Sequence, residues 1–346
     1  MIDNYIKGVM LEKQIPGMSV AVVREGKPLL MQGYGFANLE HSTEATEKTL
    51  YEVASVGKTF TAMVVMMLVE EGVIELDRAI SDYLDDLPLA WSAVTVRHIL
   101  SHQSGIPSYT EVDNYWKDIC QANLSKREII ALVRDKPLKY TPGDYGSYDN
   151  TGFYLLGMML EQVTSQSYAD LMRDRLFKPL GMSSTKMNNP KEIVYNRAAG
   201  YRLVDESLVN KPYYSPSVTY SAGGQLSSIE DMVKYEQELF EPTLINKSTL
   251  QSMWIPNFPV HNDVWKKHGY VAGLGWWKLN YTGRQVVGHN GSIIGFASNI
   301  TRFVDDGITV ILFCNLDAVT RPDVISKEIA GYYSPAIASL PMQPKV

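Results

Sequence analysis

Cysteine is scarce in this chain of 346 residues, and its two copies, Cys120 and Cys314, lie far apart. Two distant cysteines argue against a disulfide framework and against a cysteine-ligated metal site. We therefore expect both to be buried as small hydrophobic side chains, and we expect no metal and no organic cofactor.

The chain also lacks a surplus of positive charge, since 32 Lys and Arg stand against 38 Asp and Glu, a formal net charge of -6. Without a basic field, we expect no nucleic-acid partner. The longest strongly apolar run, about residues 61–69, is too short to cross a bilayer, so we expect no membrane span. The first residues do not resemble a signal peptide, so we expect a cytoplasmic location, or a periplasmic or secreted one if a leader has been removed.

The distribution of strand and helix patterns predicts the fold class. Strand patterns occur near the N-terminus, at residues 18–24 and 29–34, and again after residue 270, at residues 275–279, 285–288, 296–303 and 308–314, whereas helical periodicity dominates between them. We predict an α/β (α+β) fold: an antiparallel sheet flanked by helices, with an inserted, mainly helical lobe. The predicted lobes are residues 1–75 with 265–346, and residues 76–264, with the active site in the crevice between them.

Ser55 and Lys58 form a Ser-x-x-Lys element just before an apolar helical pattern that runs from Gly57 to Gly72. On a helix this spacing places the amine one turn from the hydroxyl, on the same face. A serine needs a neighbour that removes its proton, and a lysine with a lowered pKa can do so. The pattern recurs by accident at Ser183–Lys186, and an ordinary N-cap serine is the simpler explanation of Ser55 alone.

Two further elements add chemistry. Tyr148 and Asn150 lie two residues apart on an extended turn before another helical run, so a phenol and an amide are expected on the same side. A buried tyrosine and a capping asparagine are the alternative. The third element, Gly288-His289-Asn290-Gly291-Ser292, lies on a predicted strand whose glycines allow a ligand to approach the backbone.

The order and spacing of Ser55/Lys58, Tyr148/Asn150 and His289/Gly291 resemble the serine β-lactamase and penicillin-binding protein superfamily. Within it, the chain is similar to the branch of class C β-lactamases, D-Ala-D-Ala carboxypeptidases and family VIII esterases. The resemblance extends from about residue 15 to residue 314. It includes four supporting segments, at residues 95–106, 179–182, 222–228 and 273–276.

The resemblance implies a role for each matching residue. Ser55 would be the nucleophile, Lys58 its proton relay and Tyr148, as phenolate or hydrogen-bonded phenol, the general base. Asn150 would hold the acyl amide of the substrate, and the backbone N–H groups of Ser55 and Ser292 would form the oxyanion hole. The chain has His289 where the β-lactamases carry the lysine of Lys-Thr-Gly, and a histidine is a weaker, pH-dependent cation.

We predict a serine hydrolase that forms an acyl-enzyme from an ester or amide. The expected substrate is a short-chain ester or a small, possibly D-configured, peptide. A class C-like β-lactamase and a non-catalytic module that binds a peptide or a β-lactam are the alternatives. Five aromatic residues are candidates for an acyl pocket or, with equal weight, for plain core: Tyr213, Tyr214, Tyr220, Trp276 and Trp277.

Two other enzyme classes fit poorly. His98 and His102 stand four apart, but no glutamate completes His-Glu-x-x-His and no third zinc ligand is evident. The chain has no Gly-x-Ser-x-Gly, which argues against an α/β-hydrolase.

Overall fold

The structure is a computed structural model that describes residues 2–256, 270–281, 283–317, 319 and 321–341. Its α-helices, α1 to α11, span Ile2–Glu12, Gly57–Glu70, Val96–Leu100, Lys126–Ala131, Asn150–Thr164, Tyr168–Met172, Pro216–Thr219, Ile229–Phe240, Lys247–Ser252, Pro322–Gly331 and Pro335–Ala338. Its strands, β1 to β13, span Gly17–Arg24, Lys27–Asn38, Thr43–Glu44, Tyr51–Glu52, Lys186–Met187, Tyr201–Val204, Ser207–Asn210, Gln225–Ser227, Tyr270–Ala272, Trp277–Tyr281, Arg284–Ile293, Phe296–Phe303 and Ile308–Cys314.

The dominant element is an eight-stranded sheet in the order β3-β2-β1-β13-β12-β11-β10-β9. Its strands pair antiparallel, and β1, near the start of the chain, pairs with β13, near its end, from Met18 opposite Cys314 to Arg24 opposite Ile308. The predicted antiparallel sheet built from both chain ends is therefore confirmed.

Helices cover both faces of this sheet. Val20 and Val22 of β1 join one hydrophobic cluster, together with Ile6 of α1 and Ile329 of α10. The alternate residues Ala21 and Val23 join the other cluster, which contains α2 and α8. Because successive side chains of a strand point to opposite faces, one strand contributes to both cores.

Helix α2 is buried on every side from Gly57 to Leu68. A helix that is apolar all round belongs in the interior rather than at the surface, and its N-terminus is consequently held by packing in every direction. Whatever lies at that N-terminus is fixed relative to the sheet.

In the described residues between β2 and β9, helices make up most of the regular secondary structure. The strands there are only two to four residues long: β3 pairs with β2 at the edge of the large sheet, and the others form the small sheet β4-β8-β5 and the hairpin β6-β7. The proposed lobe boundary at 75/76 stays a prediction, and the one at 264/265 lies outside the described residues.

The strand predictions after residue 270 differ from the structure at their ends. The strand expected from Gly275 begins at Trp277, because Gly275 adopts a positive φ of 73° in the turn before it. The strand expected to end at Gly288 continues to Ile293, so the whole third motif lies on β11.

Both cysteines are buried and free, as expected. Among the residues that the structure describes, no helix is long and apolar enough to cross a membrane, and no cluster of His, Cys, Asp and Glu is arranged to hold a metal ion.

Candidate active site

Ser55 lies in a short 3-10 turn, Ala54–Val56, directly before α2. The preceding residue, Ala54, has a φ of 46°, a left-handed conformation that is unfavourable for a residue with a Cβ. Val56 is the N-cap of α2, and no side chain caps it. Ser55 is therefore not the ordinary capping serine, and its half-buried hydroxyl is available for other contacts.

Lys58 is fully buried in the first turn of α2 and makes three hydrogen bonds. Its Nζ donates to Ser55 Oγ at 3.2 Å, to Asn150 Oδ1 at 2.8 Å and to the carbonyl oxygen of Ala222 at 2.5 Å. All three partners are neutral. Burial therefore lowers the pKa of Lys58 from its usual 10.5 to about 7, although the nearby Asp149 carboxylate acts in the opposite direction.

Tyr148 approaches Ser55 from the loop that leads into α5. Its phenol donates a hydrogen bond to Ser55 Oγ at 2.6 Å. The next residue, Asp149, caps α5 by accepting from the Gly152 N–H at 3.0 Å. Burial raises the pKa of the Tyr148 phenol above its usual value of 10, an effect that the bond to Ser55 reduces in part. At neutral pH the phenol keeps its proton, whereas Lys58 is partly deprotonated.

Asn150 is the first residue of α5, and its amide is held from both sides. Its oxygen accepts from Lys58, and its Nδ2 donates to Thr110 Oγ1 at 3.2 Å. The amide is thereby fixed between the buried amine and the loop around residue 110.

The third motif runs along β11 beside the turn that holds Ser55. A Cβ at Gly291 would lie 2.4 Å from the Val53 carbonyl oxygen and 3.1 Å from the Ser55 nitrogen, so only glycine lets the strand come this close. Ser298 Oγ on β12 donates to the same Val53 oxygen at 2.6 Å. Ser292, next on β11, lines the same small cavity as Ser55.

His289 is not among the residues that line that cavity, and it is only 2% exposed. Its Nδ1 lies 2.7 Å from the carbonyl oxygen of Asn290. Burial, assisted by the neighbouring Lys58, lowers the pKa of His289 to about 3, so the ring is uncharged at neutral pH.

The segment 222–228, which the sequence identified only by its resemblance to the family, also contributes to the site. Ala222 offers its carbonyl to Lys58, and Gly223 follows with a φ of 147°. A Cβ on Gly223 would lie 2.5 Å from the backbone of Ala54. Such a contact is a signal that only the tertiary structure reveals.

The cavity beside Ser55 contains no charged side chain among the described residues that line it. Three aromatic residues line it. Tyr214 is one of the five aromatic candidates, whereas Tyr109 and Trp116 were not predicted from the sequence. The other four candidates do not line this cavity. Trp276 packs in the core against Trp254, and Tyr220 packs on Tyr154 and Tyr168. Tyr213 is exposed, and Trp277 stacks with His102 and Tyr148.

The second Ser-x-x-Lys copy lies elsewhere. Lys186 lies on the two-residue strand β5 and pairs with Glu192 at 2.6 Å, so the spacing does not produce the helical juxtaposition that brings Lys58 to Ser55.

The fold combines a large antiparallel sheet with a buried helix, and the Ser-x-x-Lys element lies at the N-terminus of that helix. The beta-lactamase family model matches residues 2–329, and the chain belongs to that family of hydrolases.

Curated relatives show moderate identity over most of the chain. Protein flp of Staphylococcus aureus (strain MW2) is 26% identical over 329 residues, which cover 94% of this chain and 64% of that protein. Penicillin-binding protein 4* of Bacillus subtilis (strain 168) is 25% identical over 327 residues, 88% of this chain and 69% of that protein. The chain thus spans just under two thirds of the length of flp.

Solved structures share the fold across nearly the whole chain. The octameric penicillin-binding protein homologue from Pyrococcus abyssi has a TM-score of 0.85 and 29% identity, covering 96% of this chain and 76% of that one. The D-amino acid amidase from Ochrobactrum anthropi SV3, complexed with L-phenylalanine amide, has a TM-score of 0.79 and 26% identity, covering 91% and 92%.

Proposed function

We propose that this chain is a serine hydrolase that forms an acyl-enzyme on Ser55 with small, uncharged esters or amides. The observation that carries the proposal is that Ser55 Oγ is the shared hydrogen-bond partner of Lys58 and Tyr148, at 3.2 and 2.6 Å. A serine between an amine and a phenol has a group on each side that can take or return a proton.

The order of the two pKa values supports a division of labour between these groups. Lys58, with a pKa of about 7, is the group whose neutral form is populated near pH 7. Lys58 Nζ accepts the Ser55 proton as Oγ bonds to the substrate carbonyl carbon. Tyr148, which holds its proton, donates it to the leaving oxygen or nitrogen as that bond breaks. This assignment differs from the sequence interpretation, in which Tyr148 was the base.

Hydrolysis of the acyl-enzyme follows the reverse route. Water attacks the acyl carbon and gives a proton to the Lys58–Tyr148 pair, the bond to Ser55 breaks, and Oγ recovers a proton. The backbone N–H groups of Ser55 and Ser292 would stabilise the oxyanion in both steps. The close approach of Gly291 to the Ser55 nitrogen supports this placement.

The charge of the site supports the substrate class. A carboxylate beside the scissile bond needs a cation, and His289, buried and with a pKa of about 3, does not supply one. No charged group lines the described part of the cavity. Neutral esters and amides are therefore favoured over penicillins and over peptides cleaved at a free C-terminal carboxylate. The likeness to a D-amino acid amidase supports small, D-configured amides among the candidates.

The test is a substrate panel with a covalent probe. We expect fluorophosphonate to add to Ser55, detected by peptide mass spectrometry, and we expect turnover of p-nitrophenyl esters and of N-acetyl-D-amino-acid amides but little of a chromogenic cephalosporin. Ser55→Ala is the control and should lose both adduct and turnover. Fast cephalosporin cleavage would favour the class C-like alternative, and a folded protein without adduct or turnover would favour a binding module.

A further inference from the structure

His102 holds the backbone on both sides of Tyr148. Its carbonyl oxygen accepts the N–H of Ser147 at 2.9 Å, and its ring Nδ1 accepts the N–H of Asp149 at 3.2 Å. One residue thus holds the peptide group between Tyr148 and Asp149 and the peptide group between Gly146 and Ser147, which removes freedom from the loop that carries the phenol.

The His102 ring also contacts the tyrosine ring directly. Their centroids are 4.6 Å apart, and Trp277 stacks on His102 at 5.5 Å with an interplanar angle of only 11°. Trp277 in turn lies 6.2 Å from Tyr148, at 29°. The three rings pack against one another, so the direction in which the phenol oxygen points depends on the other two.

His102 adopts a left-handed backbone conformation. Its φ is 57°, a conformation that asparagine or glycine adopts more easily than histidine. The backbone conformation does not require a histidine here, so the contacts of the imidazole are what a substitution by asparagine would remove.

The imidazole is uncharged in this position. It is only 3% exposed, and because Nδ1 accepts an N–H, the neutral tautomer carries its proton on Nε2. Burial, followed by the nearby Lys58 and His289, lowers the pKa of His102 well below 6.5. The ring therefore brings no second cation to the amine of Lys58.

We propose that His102 is a positioning residue that sets the orientation of Tyr148 towards Ser55, through its two backbone hydrogen bonds and its ring contact. The inference rests on the proposed role of Tyr148 as the proton donor to the leaving group. It predicts that His102 acts on the reaction only through Tyr148.

Two variants separate the contacts. His102→Asn suits the left-handed backbone and keeps an acceptor but removes the ring, whereas His102→Phe keeps a ring but removes the acceptor. His41→Asn, at an exposed histidine, is the matched control. We expect each His102 variant to lower kcat by about 10- to 100-fold with little change in KM, since a misplacement of about 1 Å costs that much.

The leaving group provides a readout that a merely structural role would not move. p-Nitrophenolate departs without a proton, whereas an alkoxide or an amine needs one. We therefore expect the loss to be about 10-fold larger on an alkyl ester or an amide than on the p-nitrophenyl ester of the same acid. An equal loss on both substrates would overturn the proposal.

Tyr148→Phe separates this inference from the function itself. If the wild type is active and Tyr148→Phe impairs it, adding His102→Asn to Tyr148→Phe should cause no further loss. A further, additive loss rejects the positioning role while leaving the hydrolase intact. If Tyr148→Phe is fully active, the proposed role of Tyr148 fails, and the positioning role fails with it. Should a His102 variant not fold, Trp277→Leu, which removes the stacked ring, must show the same dependence on the leaving group.

Discussion

The phenol of Tyr148 lies 2.6 Å from the hydroxyl of Ser55, although 93 residues separate them in the chain. The turn before α2 holds one partner and the N-terminus of α5 holds the other. The two helices are packed together within one core, so the short contact is a property of helix packing rather than of either loop.

Removing the amine should abolish activity without weakening the fold. Lys58→Met replaces a buried ammonium by an apolar side chain, and we expect turnover to fall by about 10²- to 10⁴-fold. At pH 6 the free energy of unfolding should stay equal or rise by about 0.5–2 kcal/mol, as measured by chemical denaturation. Lys178→Met, at an exposed lysine, should change neither quantity.

The difference in free energy of unfolding between Lys58→Met and the wild type should depend on pH. The folded-state pKa of Lys58, about 7, lies below its unfolded value of 10.5, so the unfolded chain binds more protons between these limits. The wild type should therefore gain stability as the pH rises from 7 to 10.5, and the advantage of Lys58→Met should shrink over the same window. A melting temperature that drops steeply in the variant would contradict this and would show that the bonds to Asn150 and Ala222 dominate.

The acidic limb of the activity profile should report the same amine. We expect kcat/KM on a neutral ester to rise with pH through about 7, because only the neutral amine accepts a proton. In Asp149→Asn the limb should move to lower pH, by about 1 unit, since the carboxylate raises the pKa of Lys58.

Asparagine also caps helices well, so Asp149→Asn should fold normally. Asp174→Asn, at an exposed carboxylate, is the control and should leave the limb in place. A limb that stays at its original pH in Asp149→Asn would show that another group controls it.

Gly291→Ala should damage the site. A Cβ there would lie 2.2 Å from Ser298 Oγ and 2.4 Å from the Val53 carbonyl oxygen, so β11 must move away from Ser55. We expect both the fluorophosphonate labelling rate and the ester turnover to fall by about 100-fold or more, as for loss of an oxyanion-hole donor. Gly8→Ala, where no atom lies within 4 Å and the residue is in α1, should keep full activity and gain stability.

Trp116 should limit the length of the acyl group. Its ring is 55% exposed at the edge of the cavity beside Ser55. In Trp116→Ala we expect the kcat/KM ratio of octanoyl to butanoyl p-nitrophenyl ester to rise about 10-fold, within the range typical of a methylene pocket. Tyr195→Ala, at an exposed ring that does not line the cavity, should leave the ratio unchanged. An unchanged ratio in Trp116→Ala would place the acyl chain elsewhere.

The buried ion pair of Glu236 and Arg302 should be costly to break. Both side chains are at most 5% exposed, and Arg302 donates from two nitrogens, at 2.8 and 3.1 Å. Glu236→Gln should lower the free energy of unfolding by about 3–5 kcal/mol, because it leaves a buried guanidinium without its counter-charge. At the exposed pair of Arg78 and Asp82, Asp82→Asn should cost less than about 1 kcal/mol. Similar costs at both pairs would refute the prediction.

Much of the fold was predictable because it follows from local patterns. The short apolar runs rich in β-branched residues at Gly17–Arg24 and Ile308–Cys314 favour strands, and the longer apolar pattern of Gly57–Glu70 favours a helix. The strand at Tyr270–Ala272 was missed, since three residues are too few to show a period.

The sequence by itself determined which residues have the chemistry and which lie one turn apart, because the spacing of Ser55 and Lys58 is set by helix geometry. Only the tertiary structure decided their electrostatics. The burial that lowers the pKa of Lys58 and leaves His289 uncharged depends on segments from distant parts of the chain. The same holds for Tyr109, Trp116 and His102, whose importance comes from neighbours that local periodicity does not encode.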